Sequence, residues 1–123
     1  MASQRFQDLL VWRKAHAWVL DVYRMTRAFP REELYALTSQ LRRAAVSVPA
    51  NIVEGFRRQG KPDKIRFFNI AQGSLDECHY YLILARDLGY AQTDDLIMAL
   101  EEIGRLSNSY SRAVAVDHQS DVT

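Results

Sequence analysis

The apolar residues of this chain recur at alternating spacings of three and four, the repeat of an α-helix that buries one face. Over residues 6–29, this repeat places one apolar stripe along Val11, Ala15, Trp18, Val22, Met25 and Phe29. A second stripe, turned by about 100° on the same helix, comprises Leu9, Trp12, His16, Val19 and Tyr23. One neighbouring helix cannot cover two such stripes, so the second apolar stripe of this helix needs another partner.

Three breaks divide the chain into four helical segments of similar length. Pro30 suits a helix start because its missing N–H would have no partner there, and Pro62 follows Gly60 in the same role. Gly89 ends the third segment, and Thr93 stands as the N-cap of the fourth. We therefore predict an all-α fold, an antiparallel up-down-up-down four-helix bundle. The bundle is one domain over residues 1–114, and residues 115–123 form a disordered tail.

The second predicted helix contains a proline. Its apolar face runs across Pro49 without a change of phase, along Leu34, Leu37, Leu41, Ala45, Val48, Ile52 and Phe56. An internal proline removes one backbone hydrogen bond and crowds the carbonyl four residues back, here that of Ala45. Because the phase is kept, we predict one continuous helix that is kinked at Pro49.

The third predicted helix, from about Pro62 to Leu88, also has two apolar stripes. The first comprises Phe68, Ala71, Leu75, Cys78, Leu82 and Ala85, and the second comprises Phe67, Ile70, Ser74, Tyr81, Leu84 and Leu88. Gly73 lies inside this helix, where glycine is unfavourable, and so predicts close approach of a neighbouring helix. The surplus stripes of the first and third helices predict homo-oligomerisation.

Charge is distributed unevenly over the 123 residues. The net charge is +1, but residues 1–66 carry 13 Lys/Arg against 6 Asp/Glu, whereas residues 67–123 carry 3 against 9. The overall balance is not that of a strongly basic polyanion-binding domain. Any contact with a polyanion must therefore come from a local cluster in the first half.

Several functional classes find no support in the sequence. One cysteine, Cys78, and the absence of a signal-peptide pattern favour a cytoplasmic protein, and the short apolar runs predict no membrane span. His16, His79, His118 and Cys78 lack the spacing of metal ligands. No nucleophile stands beside a base, and no glycine-rich loop is present to hold phosphates. We predict no catalytic residue, metal, cofactor or small-molecule substrate, and no enzymatic activity.

A polar seam follows one side of the second helix and continues on the third. It comprises Gln40, Ala44, Ser47, Asn51, Glu54 and Arg58 on the second helix, and Ser74 and Glu77 on the third. If the two sides meet, Asn51 can bond a carbonyl freed by Pro49, and Glu54 can pair with Arg58 or with a neighbouring chain. A structural hydrogen-bond network is the favoured interpretation, and ligand or partner binding is the alternative. Acid–base catalysis is disfavoured because no second carboxylate or histidine accompanies Glu54.

A basic turn joins the second and third helices. It comprises Arg57, Arg58, Lys61, Lys64 and Arg66, with Asp63 among them. These side chains either form a solvated loop that pairs with the acidic half of a neighbouring subunit, or contact the phosphates of RNA or DNA. In the second case Arg42 and Arg43 can extend the site. Few aromatic residues lie nearby in sequence, which favours backbone contacts over base stacking.

Three segments together resemble one known family. "FPREELYAL", "SVPANIVEG" and "AQGSLDE", within a likeness over roughly residues 6–114, are similar to 23S rRNA intervening-sequence proteins, whose relatives include the accessory variability protein of diversity-generating retroelements. Val53 stands where these proteins usually have alanine. The resemblance implies a bundle that assembles as a ring, typically a homopentamer, without known enzymatic activity. The retroelement relatives are strongly basic and bind nucleic acid.

Two functions follow as hypotheses. The first is a non-enzymatic, ring-forming accessory protein that associates with nucleic acid through the basic turn. The alternative is a structural or protein–protein interaction module that binds no nucleic acid and whose basic turn meets an acidic protein surface.

Overall fold

Four α-helices form an all-α protein, as the sequence predicts. The computed structural model describes the backbone of residues 5–122 and the side chains of residues 5–116. A short 3₁₀-helix, Phe6–Asp8, precedes the bundle, whose helices are α1 Leu10–Thr26, α2 Ser39–Arg57, α3 Lys61–Asp87 and α4 Asp94–Val122. Most of the predicted tail, residues 115–123, lies outside the described side chains, and its disorder stays a prediction.

The helices pack as an up-down-up-down bundle. α2 and α3 pack most extensively, and α1 contacts both α2 and α4 while α3 contacts α4. The first predicted stripe of α3 is buried along its whole length, from Phe68 to Ala85. The second stripe of α1 is divided, because Leu9 and Val19 are buried while His16 is exposed. The α1 helix therefore directs more than one stripe inward and leaves part of its second stripe on the surface.

The connection between α1 and α2 is less regular than predicted. Pro30 is extended and precedes a 3₁₀ turn, Arg31–Glu33, and a π-helical turn, Leu34–Thr38, in which Ala36 leaves the helical region at φ −123° and ψ −106°. Regular α-helix begins only at Ser39. The expected start at Pro30 and the expected apolar position of Leu34 are therefore wrong: the irregular turn shifts the helical phase and leaves Leu34 44% exposed.

Helix α2 is continuous through Pro49, which confirms the predicted continuity. Pro49 is itself buried, and so are Val48 and Ile52 on either side of it. Burial of this segment against the other helices offsets the lost hydrogen bond, since each apolar side chain adds about 1.5–3 kcal/mol. The kink at Pro49 stays a prediction.

The connection between α3 and α4 is tightly built. Gly89 has a φ of +78°, and the N–H groups of Gly89 and Tyr90 donate to the carbonyls of Arg86 and Ala85, which is the Schellman arrangement of a helix end. Thr93 directly precedes α4, as predicted. Its Oγ1 is buried and donates to the carbonyl of Leu82 at 2.8 Å. This bond joins the start of α4 to the last turns of α3.

Gly73 and Gly55 have opposite environments. Gly73 is exposed, and a Cβ added there would meet no atom within 4 Å, so the predicted close approach at Gly73 is wrong. Gly55 is buried, and a Cβ added there would lie 2.9 Å from Cε1 of Phe68. The close approach between α2 and α3 occurs at Gly55, near the end of α2.

Candidate nucleic-acid interface

The basic turn lies where α2 ends and α3 begins. Arg58 leaves the helical conformation at φ −66° and ψ 145° and so ends α2. Gly60 is extended at the N-cap of α3, and Pro62 lies in the first turn of that helix, which confirms the predicted break. This short connection brings the cations of two helix ends to one end of the bundle.

Two arginines of the basic turn contact the same aromatic ring. The guanidinium carbons of Arg58 and Arg66 lie 4.8 and 4.6 Å from the ring centroid of Phe67. Arg58 also donates to Oε2 of Glu54 at 2.9 Å, and Arg66 lies 3.6 Å from Asp63. All four charged side chains are exposed, so the ion pairs themselves stabilise little. Their effect is to hold the two guanidinium groups in defined positions on Phe67.

The half-buried side chain of Lys64 folds back onto the end of α2. Its Nζ donates to the carbonyls of Phe56 at 2.8 Å and Gly55 at 3.1 Å, which are the carbonyls left without helical partners at the end of α2. Burial lowers the pKa of the Lys64 ammonium. Lys64 therefore caps α2, and the structure does not place it among the outward cations.

The other two cations of the turn differ in exposure. Arg57 is exposed and makes no ion pair with any side chain that the structure describes. Lys61 is half-buried at the first position of α3. The outward cations of the basic turn are thus led by Arg57, Arg58 and Arg66.

Arg42 and Arg43 lie at the opposite end of α2. Arg42 is about 22 Å from Arg57 along the helix axis, from the rise per residue. Its Nε donates to Oγ1 of Thr26 at 2.8 Å, and its guanidinium lies 4.7 Å from the ring centroid of Tyr23. Arg42 therefore joins α2 to the end of α1, and the structure does not bring it together with the basic turn.

The two sides of the polar seam meet between α2 and α3. The hydroxyls of Ser47 on α2 and Ser74 on α3 are 2.9 Å apart. Asn51 Nδ2 donates to the carbonyl of Ser47 at 2.8 Å and to its Oγ at 2.9 Å. The expectation that Asn51 bonds a carbonyl freed by Pro49 is wrong, because that carbonyl belongs to Ala45 and Asn51 reaches one turn back, to Ser47.

A tyrosine continues the seam toward the other end of the helices. The Tyr81 hydroxyl lies 2.8 Å from Oε2 of Glu77 and 2.9 Å from Oε1 of Gln40, so its one proton can be donated to either acceptor. The hydrogen bond to Glu77 raises the pKa of Tyr81. Beside this contact a groove of about 400 Å³ opens between α2 and α3, with Arg43 and Tyr35 among its lining residues. The seam thus holds α2 against α3 without assembling a paired acid and base.

The described residues offer no metal centre. No group of three His, Cys, Asp or Glu side chains lies close enough to hold an ion. Cys78 is buried in the core, and burial raises the pKa of its thiol to about 12. Over the same part of the chain, no helix has an apolar stretch long enough to cross a bilayer.

Sequence reasoning misses two features of this interface. The helical repeat places Phe67 only in an apolar stripe, yet its ring supports two arginines from different helix ends. Phe6 lies far from the basic turn in sequence, but it lines the same cavity as Arg57. A local pattern carries no signal for these contacts, because the first depends on how α2 and α3 are placed and the second on how the 3₁₀-helix Phe6–Asp8 lies against α2.

The fold and the polar seam together define a class, that of small four-helix-bundle proteins whose second and third helices share a hydrogen-bonded polar face. The family model described as 23S rRNA-intervening sequence protein matches residues 7–111. The match covers most of the chain, so the protein belongs to this family, which confirms the resemblance seen in its sequence. A search of curated proteins found no match.

Proposed function

We propose that this protein is a non-enzymatic, nucleic-acid-associated accessory protein that contacts the phosphates of RNA or DNA through its basic turn. The observation that supports this proposal is the surplus of outward cations at one end of the bundle. Glu54 and Asp63 each pair with one arginine already, whereas Arg57 has no such partner among the described side chains. The turn therefore presents net positive charge to a ligand.

The contact chemistry favours phosphate. A guanidinium group binds two phosphate oxygens at once, and Arg58 and Arg66 are already positioned on Phe67. A positioned side chain loses less rotamer freedom on binding. Contacts of this type neutralise backbone charge and release counterions, so they tolerate any sequence and weaken as salt rises.

Self-association is the second part of the proposal. We infer that the bundle forms a homo-oligomeric ring, a pentamer as the resemblance implies. Large apolar side chains stay exposed on the single chain: Tyr35 is 91%, Met98 67%, Tyr80 58% and Leu88 51% exposed. Such surface is unfavourable in water and seeks a partner. A ring would also repeat the basic turn, so that several weak phosphate contacts act together.

A salt titration tests the nucleic-acid proposal. Labelled RNA and DNA are titrated with the protein, and the affinity is followed as the salt concentration rises. We expect a steep fall, and we expect the triple variant Arg57→Ala, Arg58→Ala, Arg66→Ala to reduce the slope by about 0.7–0.9 for each phosphate that it no longer neutralises. The matched control is Arg13→Ala, Arg27→Ala, Arg31→Ala, which removes the same charge from exposed positions elsewhere.

Two results would contradict the proposal. Equal slopes for the two triple variants would show that only overall charge matters. Absence of binding at about 50 mM salt would reject nucleic-acid association and leave the protein-interaction module, in which the basic turn meets an acidic protein surface.

A further inference from the structure

A cavity of about 390 Å³ opens beside the basic turn, between the 3₁₀-helix Phe6–Asp8 and the last turns of α2. Its apolar lining comes from Phe6, Val53 and Phe56, all of them half-buried. The volume lies within the range of about 300–1,000 Å³ that is typical of small-molecule sites. The cavity therefore has room for a planar aromatic group between side chains that favour one.

Positive charge flanks this cavity. Arg5 and Arg57 both line it and both are exposed, so their guanidinium groups stand at the boundary with solvent. Asp8 lies 3.5 Å from Arg5, but the pair is exposed and weak. Since Arg57 also belongs to the basic turn, the cavity is continuous with the proposed phosphate contacts.

Two polar side chains complete the lining. Gln7 offers an amide, with both a donor and an acceptor, and Glu54 offers a carboxylate that accepts from Arg58 through Oε2. Amides and carboxylates are the groups that bond the edges of nucleobases, through an exocyclic amino group or, in thymine and uracil, through the ring N–H. The cavity thus combines aromatic side chains, groups that can bond base edges and flanking cations.

We propose that this cavity receives one unstacked base of single-stranded RNA or DNA, with the flanking phosphates on Arg57 and Arg5. The inference rests on the proposed function and deepens it by naming the form of nucleic acid. Single strands are recognised by bases splayed onto aromatic or arginine side chains above a positively charged track. The bases of an intact duplex stay stacked and cannot enter. The protein should therefore prefer single strands, contrary to the backbone-only contact that the sequence favours.

The test uses three probes with the full-length protein: a thymidine oligonucleotide of about 12 nucleotides, an abasic oligonucleotide of the same length, and a duplex of that length. All three carry phosphates, and only the first presents free bases. We expect the thymidine strand to bind about tenfold more tightly than the abasic strand and the duplex. Val53→Trp fills the cavity and should abolish this difference while leaving the affinity for the abasic strand unchanged.

Two further variants keep the test decisive. Phe6→Ala removes an aromatic side chain from the cavity without changing α2, where the added tryptophan would lie. Circular dichroism checks that both variants fold. Tyr23→Ala removes an exposed aromatic side chain of α1 that does not line the cavity, and it should keep the full preference.

The outcomes separate this inference from the proposed function. Equal affinity for the thymidine and abasic strands, together with a steep salt dependence, would overturn the base-binding cavity and leave the phosphate contacts standing. Absence of binding to all three probes would overturn both.

Discussion

Lys64 shows how a single side chain of the basic turn changes its role once the fold is known. In the sequence it is one of five cations, but its ammonium group donates to the carbonyls of Gly55 and Phe56. Hydrogen bonds from a charged donor typically contribute about 1.5–3 kcal/mol when they are partly shielded from water. The contribution of Lys64 is therefore to the stability of the α2 end, whereas that of Arg57 is to the surface charge.

Lys64→Met and Arg57→Met should have opposite effects. Lys64→Met keeps most of the aliphatic chain and removes the cap, so we expect the free energy of unfolding to fall by about 1–2 kcal/mol with little change in nucleic-acid affinity. Arg57→Met should leave stability within about 0.5 kcal/mol of the original and weaken binding. Urea unfolding and a binding titration measure both quantities. A larger loss of affinity for Lys64→Met than for Arg57→Met would contradict this assignment.

Gly55 and Gly73 form a matched pair for a second test. Gly55→Ala places a Cβ 2.9 Å from Phe68, whose ring is buried, so we expect a loss of about 1–3 kcal/mol from overpacking. Gly73→Ala meets open space on an exposed helix and should gain about 0.5–1 kcal/mol from helix propensity. Thermal unfolding of both variants gives the two signs, and a stabilising Gly55→Ala would show that the helices separate easily there.

Cys78 gives the stability a defined pH dependence. The folded protein holds the pKa of this thiol at about 12, against 9.0 for the unperturbed group, so the unfolded chain releases the proton first as pH rises. The contribution of the Cys78 thiol to the free energy of unfolding is therefore fully present below pH 9. It is lost between pH 9 and 12, by up to about 1.4 kcal/mol per pH unit. The difference in urea midpoint between the original protein and Cys78→Ala, followed across this window, isolates the thiol from the tyrosines that titrate nearby. A difference that stays constant with pH would contradict the assignment.

At the scale of helices, the polar seam fixes how α2 lies against α3. Ser47 and Ser74 bond each other between the helices, and Tyr81 bonds Gln40 across the same boundary. Apolar stripes alone tolerate sliding of one helix along another, because the hydrophobic effect is not directional. Hydrogen bonds between named side chains require one register, which is why a seam between two apolar faces serves specificity more than stability.

A double-mutant cycle on Ser47 and Ser74 measures this coupling. We expect each single change to alanine to lower the free energy of unfolding by about 1 kcal/mol. The loss in the double variant should be smaller than the sum of the two single losses, by about 0.5–1.5 kcal/mol. The reason is that either single change already breaks the hydrogen bond between the two hydroxyls, so the second change cannot lose it again. The bond from Asn51 to Oγ of Ser47 is lost equally in both variants that lack Ser47, and it cancels in the cycle. Strictly additive losses, from urea unfolding of the three variants, would show that the hydroxyls do not interact in solution.

The helix starts are only partly readable from the sequence. Pro62 and Thr93 mark their helix starts correctly because their backbones act within one turn. The fixed φ of proline suits a first helical turn, and the carbonyl of Thr93 accepts the first hydrogen bond of α4, from the N–H of Ile97. Pro30 marks the start of α2 too early, because the π-helical turn Leu34–Thr38 has no local residue signature. Such a turn persists when contacts made elsewhere hold it, as Tyr90 holds Glu33 through a 2.7 Å hydrogen bond.

For the whole molecule, the uneven charge and the exposed apolar side chains both favour self-association. The first half of the chain is basic and the second half acidic, so neighbouring copies can oppose unlike charges. Met98 and Tyr80 lie on α4 and α3, within the acidic half. Burial of such residues between copies would add about 25 cal/mol per Å² of apolar area.

Sedimentation velocity tests self-association. We expect one species several times heavier than the 14.2 kDa chain, and a pentamer would have about five times that mass. Changing Met98 or Tyr80 to aspartate places a carboxylate on this apolar surface, and whichever side chain lies at the interface should shift the distribution toward the monomer. A single species at the mass of one chain, at micromolar concentration, would contradict the ring.

The sequence by itself determined the four helices, the core stripe from Phe68 to Ala85, and the existence of a polar seam and a basic turn. These follow from the helical repeat and from residues that act within one turn, and so they are properties of short segments. Only the tertiary structure decided which cations face outward, why Gly55 rather than Gly73 must be glycine, and that Phe6 lies beside Arg57. Each of these depends on side chains that are distant along the chain and meet only when the helices pack.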